Sequence, residues 1–102
     1  MDPEQMDRIF KALADPRRRQ IIDQLRREPG QSLFQICAFA AASGGQAVSR
    51  QAVTQHLDML EKAGLIGITW TGRTKLHTVQ LQPLQDAADA WLSQHLNGAN
   101  RP

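Results

Sequence analysis

The chain has little to bind it covalently and little that is aromatic: one cysteine, no tyrosine, and an aromatic fraction of 5% over 102 residues. The lone cysteine, Cys37, excludes an intrachain disulfide. No apolar run approaches the ~20 residues that a membrane-spanning helix needs. The opening Met1-Asp2-Pro3-Glu4 is acidic and lacks the apolar core of a signal peptide, so a cytoplasmic chain is expected. A strong excess of one charge is missing too. Twelve Lys and Arg stand against 10 Asp and Glu, a formal net charge of +2, which permits a nucleic-acid partner without requiring one. Also absent are a glycine-rich phosphate loop, a Ser-His-Asp or Cys-His set at usable spacing, and a carboxylate pair at an evident pocket. No catalytic residue is therefore assigned, and no enzyme is expected.

What is present is ordinary globular material, 41% apolar and 22% charged, enough for one domain over residues 1–102 with its core between positions 4 and 96. Asp2 followed by Pro3 is a cap-then-proline signal for a first helix, whose apolar stripe is Met6, Ile9, Phe10 and Leu13. Asp15-Pro16 repeats the signal. It opens a second helix with Arg17, Arg18 and Arg19 in its first turn and Ile21, Ile22 and Leu25 on its buried side, and Pro29-Gly30 stops it. A third helix runs from a Ser32 cap through Leu33, Phe34, Ile36, Cys37 and Phe39 to Ala42. Apolar around much of its circumference, it is expected to be heavily buried. Ser43-Gly44-Gly45-Gln46 has loop composition.

Ser49 caps a fourth helix, Ser49 to Ala63, with Val53, Leu57 and Leu60 as its core stripe. Gln51, Thr54, Gln55, Asp58 and Lys62 fall opposite, and Gly64 ends the helix in a left-handed turn. The period then changes from helical to alternating. Ile66, Ile68 and Trp70 alternate, as do His77, Val79 and Leu81, around Thr71-Gly72-Arg73-Thr74, which reads as a hairpin with a polar tip. A last helix follows Pro83, with Leu84, Ala87, Ala88, Trp91, Leu92 and His95 near one side, and Asn97 to Pro102 is expected to fray. The fold class is mainly α with a small β-hairpin, a winged helix-turn-helix in the order α1-α2-α3-α4-hairpin-α5.

That order suits duplex DNA. A helix fits the major groove, and its polar side must reach base edges and phosphates. Gln51 and Gln55 lie one turn apart and can each bond adenine bidentately. Thr54 can donate to a phosphate or meet a thymine methyl, Arg50 can reach guanine or phosphate, and the helix start at Ser49 offers free backbone N–H groups. Arg73 and Lys75 at the hairpin tip would meet the neighbouring minor groove or backbone. Such polar faces are commonly just solvated. It is the ordered conjunction of helix and cationic hairpin that argues for DNA.

Three stretches then resemble one family. Ala12-Leu13-Ala14-Asp15-Pro16-Arg17-Arg18-Arg19-Gln20-Ile21-Ile22 is similar to the opening of ArsR-type winged-helix regulators. The run from Ser49 through Gln55, Leu60 and Gly64 to Ile66 looks like their recognition helix and its exit, and Gly72-Arg73-Thr74-Lys75 sits at their wing tip. The resemblance covers roughly residues 5 to 95. It implies a homodimeric repressor on a palindromic operator, often near its own gene, with the first and last helices forming the dimer interface. Met6, Ile9, Phe10 and Leu13 would contribute from one helix, and Leu84, Ala88, Trp91 and Leu92 from the other. Packing within one protomer is the competing role for some of these.

The family's metal sites do not carry over. Its Cys-x-Cys pair on the third helix is here Cys37-Ala38-Phe39, and its last-helix site of Asp and two His finds Asp86, Asp89 and His95 with no second histidine at the required spacing. No metal and no cofactor are expected, and Cys37 reads as a small core residue. His56 is left between a structural and a DNA-contacting role, and His77 reads as packed. More residues separate Ile36 from Ser49 than the family's short turn holds, which leaves the recognition geometry open. Two other functions stay in play: a winged-helix module for protein–protein contacts, and a metal-responsive repressor with a non-standard site. Retention of Arg50, Gln51, Thr54, Gln55, Arg73 and Lys75 on one edge argues against the first.

Overall fold

In chain order the elements are α1 (Pro3–Leu13), α2 (Pro16–Arg27), α3 (Leu33–Ala42), α4 (Arg50–Lys62), β1 (Ile66–Thr71), β2 (Thr74–Val79), α5 (Gln82–Ala87), a π-helical turn (Ala88–Leu92) and α6 (Ser93–Ala99). This is a computed structural model, and it describes residues 1–42 and 49–99. The loop expected at Ser43-Gly44-Gly45-Gln46 lies outside the described residues. The backbone stays right-handed helical through both junctions of the π turn, so segment 82–99 is the expected last helix with one widened turn inside it. Helix persists to Ala99, beyond Asn97, where fraying was expected.

Local signals explain most of the boundaries. Asp15 accepts a hydrogen bond from the Arg17 N–H at 2.8 Å, with Pro16 in the first helical position. Ser32 and Gln35 form a reciprocal capping box: the Gln35 N–H donates to Ser32 Oγ at 3.2 Å and the Ser32 N–H to Gln35 Oε1 at 2.8 Å. Ser49 Oγ accepts from the Ala52 N–H at 3.0 Å. Asp2 has the extended backbone of a cap, but its side chain accepts no capping bond. At the far end of α4, Gly64 at φ 79° closes a Schellman turn. The Leu65 N–H donates to Leu60 O at 2.9 Å and the Gly64 N–H to Glu61 O at 2.9 Å.

The core draws on α1 to α5 and the start of the hairpin. Ile9, Leu25, Ile36, Leu60 and Leu65 are wholly buried, joined by Ala12, Val53, Leu57, Ile66 and Ala87. The expectation for α3 is corrected here. Of its residues only Ile36 is buried, with Leu33 and Cys37 at the core's edge, while Phe34 is 77% exposed and Phe39 43%. The helix packs against α4 and β2 on one side, so an apolar circumference does not bring burial all round.

β1 and β2 pair antiparallel from Ile66↔Val79 to Thr71↔Thr74, leaving a two-residue loop, Gly72-Arg73. Gly72 has φ 60° and Arg73 does not share the positive φ, the pattern of a type II′ turn, which matches the twist of the strands. A third edge went unpredicted. Gln31 bridges to His77, whose N–H donates to Gln31 O at 2.8 Å, and whose ring Nδ1 donates to the same carbonyl at 2.8 Å. His77 is thus packed, as expected. Gln31 is tied in turn to Gln24 and to Glu28 O, so the end of α2 is fastened to the hairpin. Leu81 departs from expectation: the strand ends at Val79 and Leu81 is 52% exposed. The Gln80 N–H donates to Leu65 O at 2.8 Å, which turns the chain toward α5 before Leu81 can join the inward face.

Candidate nucleic-acid interface

α4 divides cleanly into two faces. Val53, Leu57 and Leu60 are buried, whereas Arg50, Gln51, Thr54, Gln55, Asp58, Glu61 and Lys62 are exposed. The exposed face divides again along its length. Toward the C-terminus its charges are engaged: Lys62 Nζ lies 2.9 Å from Asp58 Oδ2, and Glu61 Oε2 lies 3.7 Å from Lys75 Nζ on β2. Toward the N-terminus, Arg50, Gln51 and Gln55 have no hydrogen-bond or ion-pair partner among the described residues for their side chains. One expected contact changes. The Thr54 hydroxyl donates back to Arg50 O at 2.9 Å, so its hydrogen is committed and its methyl and lone pairs face outward.

The two cations of the hairpin differ. Arg73 is exposed at the tip and has no partner among the described residues. Lys75 is half-buried and joins the wing to α4 through Glu61, which makes it a brace as well as a cation.

A residue that sequence reasoning left among three arginines proves central. Arg18 is 9% exposed. Its Nε donates to Ala12 O at 2.7 Å and its Nη2 to Lys11 O at 3.0 Å, while Arg19 Nη1 donates to Leu13 O. The last carbonyls of α1 are therefore held by the opening arginines of α2. The signal was Pro16, which stands four residues after Ala12 and lacks the N–H that would have satisfied that carbonyl.

Arg18 Nη1 also faces His56 Nδ1 on α4 at 3.4 Å, with Asp15 Oδ2 3.7 Å from the same nitrogen. Guanidinium can only donate, so His56 Nδ1 is the acceptor and Nε2 carries the proton. Burial holds the His56 imidazole below its ordinary pKa; Asp15 opposes this, and Arg18 and Arg17 reinforce it. Asp15 is held below the usual carboxylate range, first by its bond from the Arg17 N–H. His56 is thus half-buried on the flank of α4, with its Nδ1 turned to Arg18. A second brace comes from α1, where Gln5 Nε2 donates to Ala63 O at 2.6 Å.

The apolar residues of the terminal helices part company. Ile9 is wholly buried within the protomer and has no surface for a partner, because its phase on α1 points at the core. Leu84 packs against that core and is only partly buried. Met6, Phe10, Leu13 and Ala88 are half-buried, and Trp91 and Leu92 remain 48% and 40% exposed. Phe10 and Trp91 meet edge-to-face, with centroids 6.5 Å apart at 74°. Trp91 and Leu92 lie within the π turn, and Trp91 also lies over His95 with ring centroids 4.2 Å apart. Leu96, missed in the sequence, is exposed as well, at 63%.

Among the described residues, no three His, Cys, Asp or Glu side chains stand close enough to share a metal ion, and no helix is long and apolar enough to cross a membrane. Asp86 and Asp89 accept hydrogen bonds from Gln82 and Gln85 instead.

Comparison with known proteins agrees with this geometry. A family model described as a helix-turn-helix domain matches residues 13–67. An uncharacterized helix-turn-helix transcriptional regulator of Bacillus subtilis, YuzN, is 31% identical over 86 residues, covering 84% of this chain and 94% of its own. The crystal structure of an ArsR family transcriptional regulator superposes with a TM-score of 0.76 at 28% identity, over 100% of this chain and 98% of that one. The fold is shared as well with a homodimeric winged helix-turn-helix DNA-binding domain from Mycobacterium bovis. There the TM-score is 0.68 and the identity 21%, over 97% of this chain and 83% of the other. These relatives are regulators and not enzymes. Matched over most of its length by sequence and by fold, the chain belongs to the ArsR-type winged helix-turn-helix family of DNA-binding transcriptional regulators.

Proposed function

We propose that the chain is a homodimeric repressor acting in the cytoplasm, one domain over residues 1–102, that reads a palindromic operator with the N-terminal half of α4. The observation that carries this reading is the exposed outer face of that half, where Arg50, Gln51 and Gln55 have no side-chain partner among the described residues, set on a helix whose other side is core. Gln51 and Gln55 suit adenine, and Arg50 guanine or phosphate. The Thr54 methyl suits thymine, and the N-terminus of α4 at Ser49 suits a phosphate. Arg73 reaches the adjacent backbone or minor groove, and Lys75 holds the wing at its angle. His56 supports the helix from behind.

Phe10, Trp91 and Leu92, with Met6, Leu13 and Ala88 at their margin, form the surface that a second copy covers. A two-fold axis there would set the two α4 helices about 34 Å apart, in successive major grooves. The Mycobacterium bovis neighbour is described as homodimeric, which agrees with this reading.

A gel-shift titration on the duplex upstream of the gene, run across salt concentrations beside gel filtration, tests it. A dimer is expected, with log affinity falling linearly against log salt at roughly −0.9 per phosphate neutralised. Failure to shift any such duplex at low salt, or elution as a monomer at binding concentrations, contradicts it.

A further inference from the structure

Most tryptophan in a folded chain is largely buried, yet Trp70 is 62% exposed. Its position is set by the hairpin register. Alternate residues share a face of a strand, so the pairs Ile66↔Val79, Ile68↔His77 and Trp70↔Lys75 all lie on one side of the wing. That side is the inward one. Ile66 and His77 are 3% and 5% exposed, and Lys75 reaches Glu61 on α4. Followed outward, the same face runs off the edge of the core, and Trp70 is what it presents there. Trp70 therefore stands on the α4 side of the wing, opposite Lys75 in the register and close to the Gly72-Arg73 tip, with most of its surface uncovered among the described residues.

We propose that Trp70 is a DNA contact, its indole packing against the deoxyribose walls of the minor groove that the wing enters. This rests on the reading of α4 and the wing as the DNA-binding surface, and adds to it a contact of a different chemical kind. The flanking charge decides the partner: Arg73 has no partner among the described residues, while Lys75 is shared with Glu61. An apolar surface beside the Arg73 guanidinium matches a groove wall, apolar sugars bordered by phosphates, better than it matches a protein face poor in acidic groups. Aromatic contact of this sort tolerates sequence, because every step of the duplex offers the same sugars. It also releases no counterion, unlike a Lys or Arg contact to phosphate.

The test uses the duplex that the wild-type chain selects from a random-sequence pool, with binding measured across salt concentrations. Trp70→Ala is expected to weaken binding roughly tenfold and to leave the salt slope unchanged, with Trp70→Phe recovering most of the loss. Arg73→Ala should instead lower the slope by about 0.9. In the wild-type chain the indole N–H signal of Trp70, identified by its loss in Trp70→Phe, should shift as duplex is added. Circular dichroism confirms that the variants fold, and Trp70→Thr, which also removes the ring but suits a strand, takes the place of Trp70→Ala if the latter does not fold. Wild-type affinity in Trp70→Ala, or a slope lowered as far as in Arg73→Ala, overturns the proposal. If Gln55→Ala still loses sequence preference in the same assay, the reading of α4 survives that failure. If the wild-type chain selects no duplex at all, both fall together.

Discussion

Arg18→Met should lower the thermal midpoint of the chain by roughly 10–20 °C. Methionine keeps the buried stem and removes the charge and its donors. Ala12 O then has no donor, since Pro16 stands where the next helical N–H would be. Lys11 O keeps the Ala14 N–H at 3.2 Å. A buried acceptor stripped of a charged donor costs about 1.5–3 kcal/mol, and the loss of the second bond brings the sum to roughly 2–4 kcal/mol. Recovery of the guanidinium's own hydration offsets part of this. It does not reverse it, because removing one partner of a buried polar cluster is the costly direction. The Asp15–Arg18 pair at 3.7 Å adds little. Arg18→Lys should fall between, since an ammonium reaches one carbonyl where the planar fork reaches both. Thermal unfolding followed by circular dichroism measures the difference. A change within about 0.5 kcal/mol, the range of ordinary surface substitutions, would mean that Arg18 does not close α1.

Trp91→Glu should yield a folded monomer that has lost about 100-fold or more of its operator affinity. The side chain is 48% exposed, so a carboxylate there is solvated in the lone protomer and buried only across a two-fold interface. The fold loses the edge-to-face pair with Phe10, worth about 1 kcal/mol, which leaves it standing. Operator affinity falls further, because the two half-sites no longer bind as one linked event, while weak binding to arbitrary duplex persists. Gel filtration and gel shift together read the result. A dimer that survives the substitution would place the interface elsewhere.

How far the sequence showed all this depends on whether the cause was local. The caps at Asp15, Ser32 and Ser49, the stop at Gly64 and the switch to alternation at Ile66 are signals within a few residues of their effect, and the elements begin and end there. The two faces of α4 follow from its period alone. What escaped depended on neighbours distant along the chain. Arg17, Arg18 and Arg19 look alike in sequence, and only the approach of α1's carbonyl end and of His56 selects the second for burial. Ile9 and Phe10 share one apolar stripe, yet a rotation of about 100° on α1 sends the first to the core and leaves the second at the edge with Trp91. The apolar surface of α3 revealed its composition but not how many sides would find a partner. Lys75 reads as a free cation until Glu61 is seen across the gap between wing and helix, 3.7 Å away.

The claim at the centre is that α4 chooses the sequence while the wing adds affinity without choosing. Dissociation constants for the selected duplex and for a scrambled one, measured for the wild-type chain, Gln55→Ala and Arg73→Ala at one salt concentration, test it most directly. Gln55→Ala should lose about 1–3 kcal/mol on the selected duplex and little on the scrambled one, whereas Arg73→Ala should weaken both alike. If both substitutions weaken both duplexes equally, α4 is not the reader.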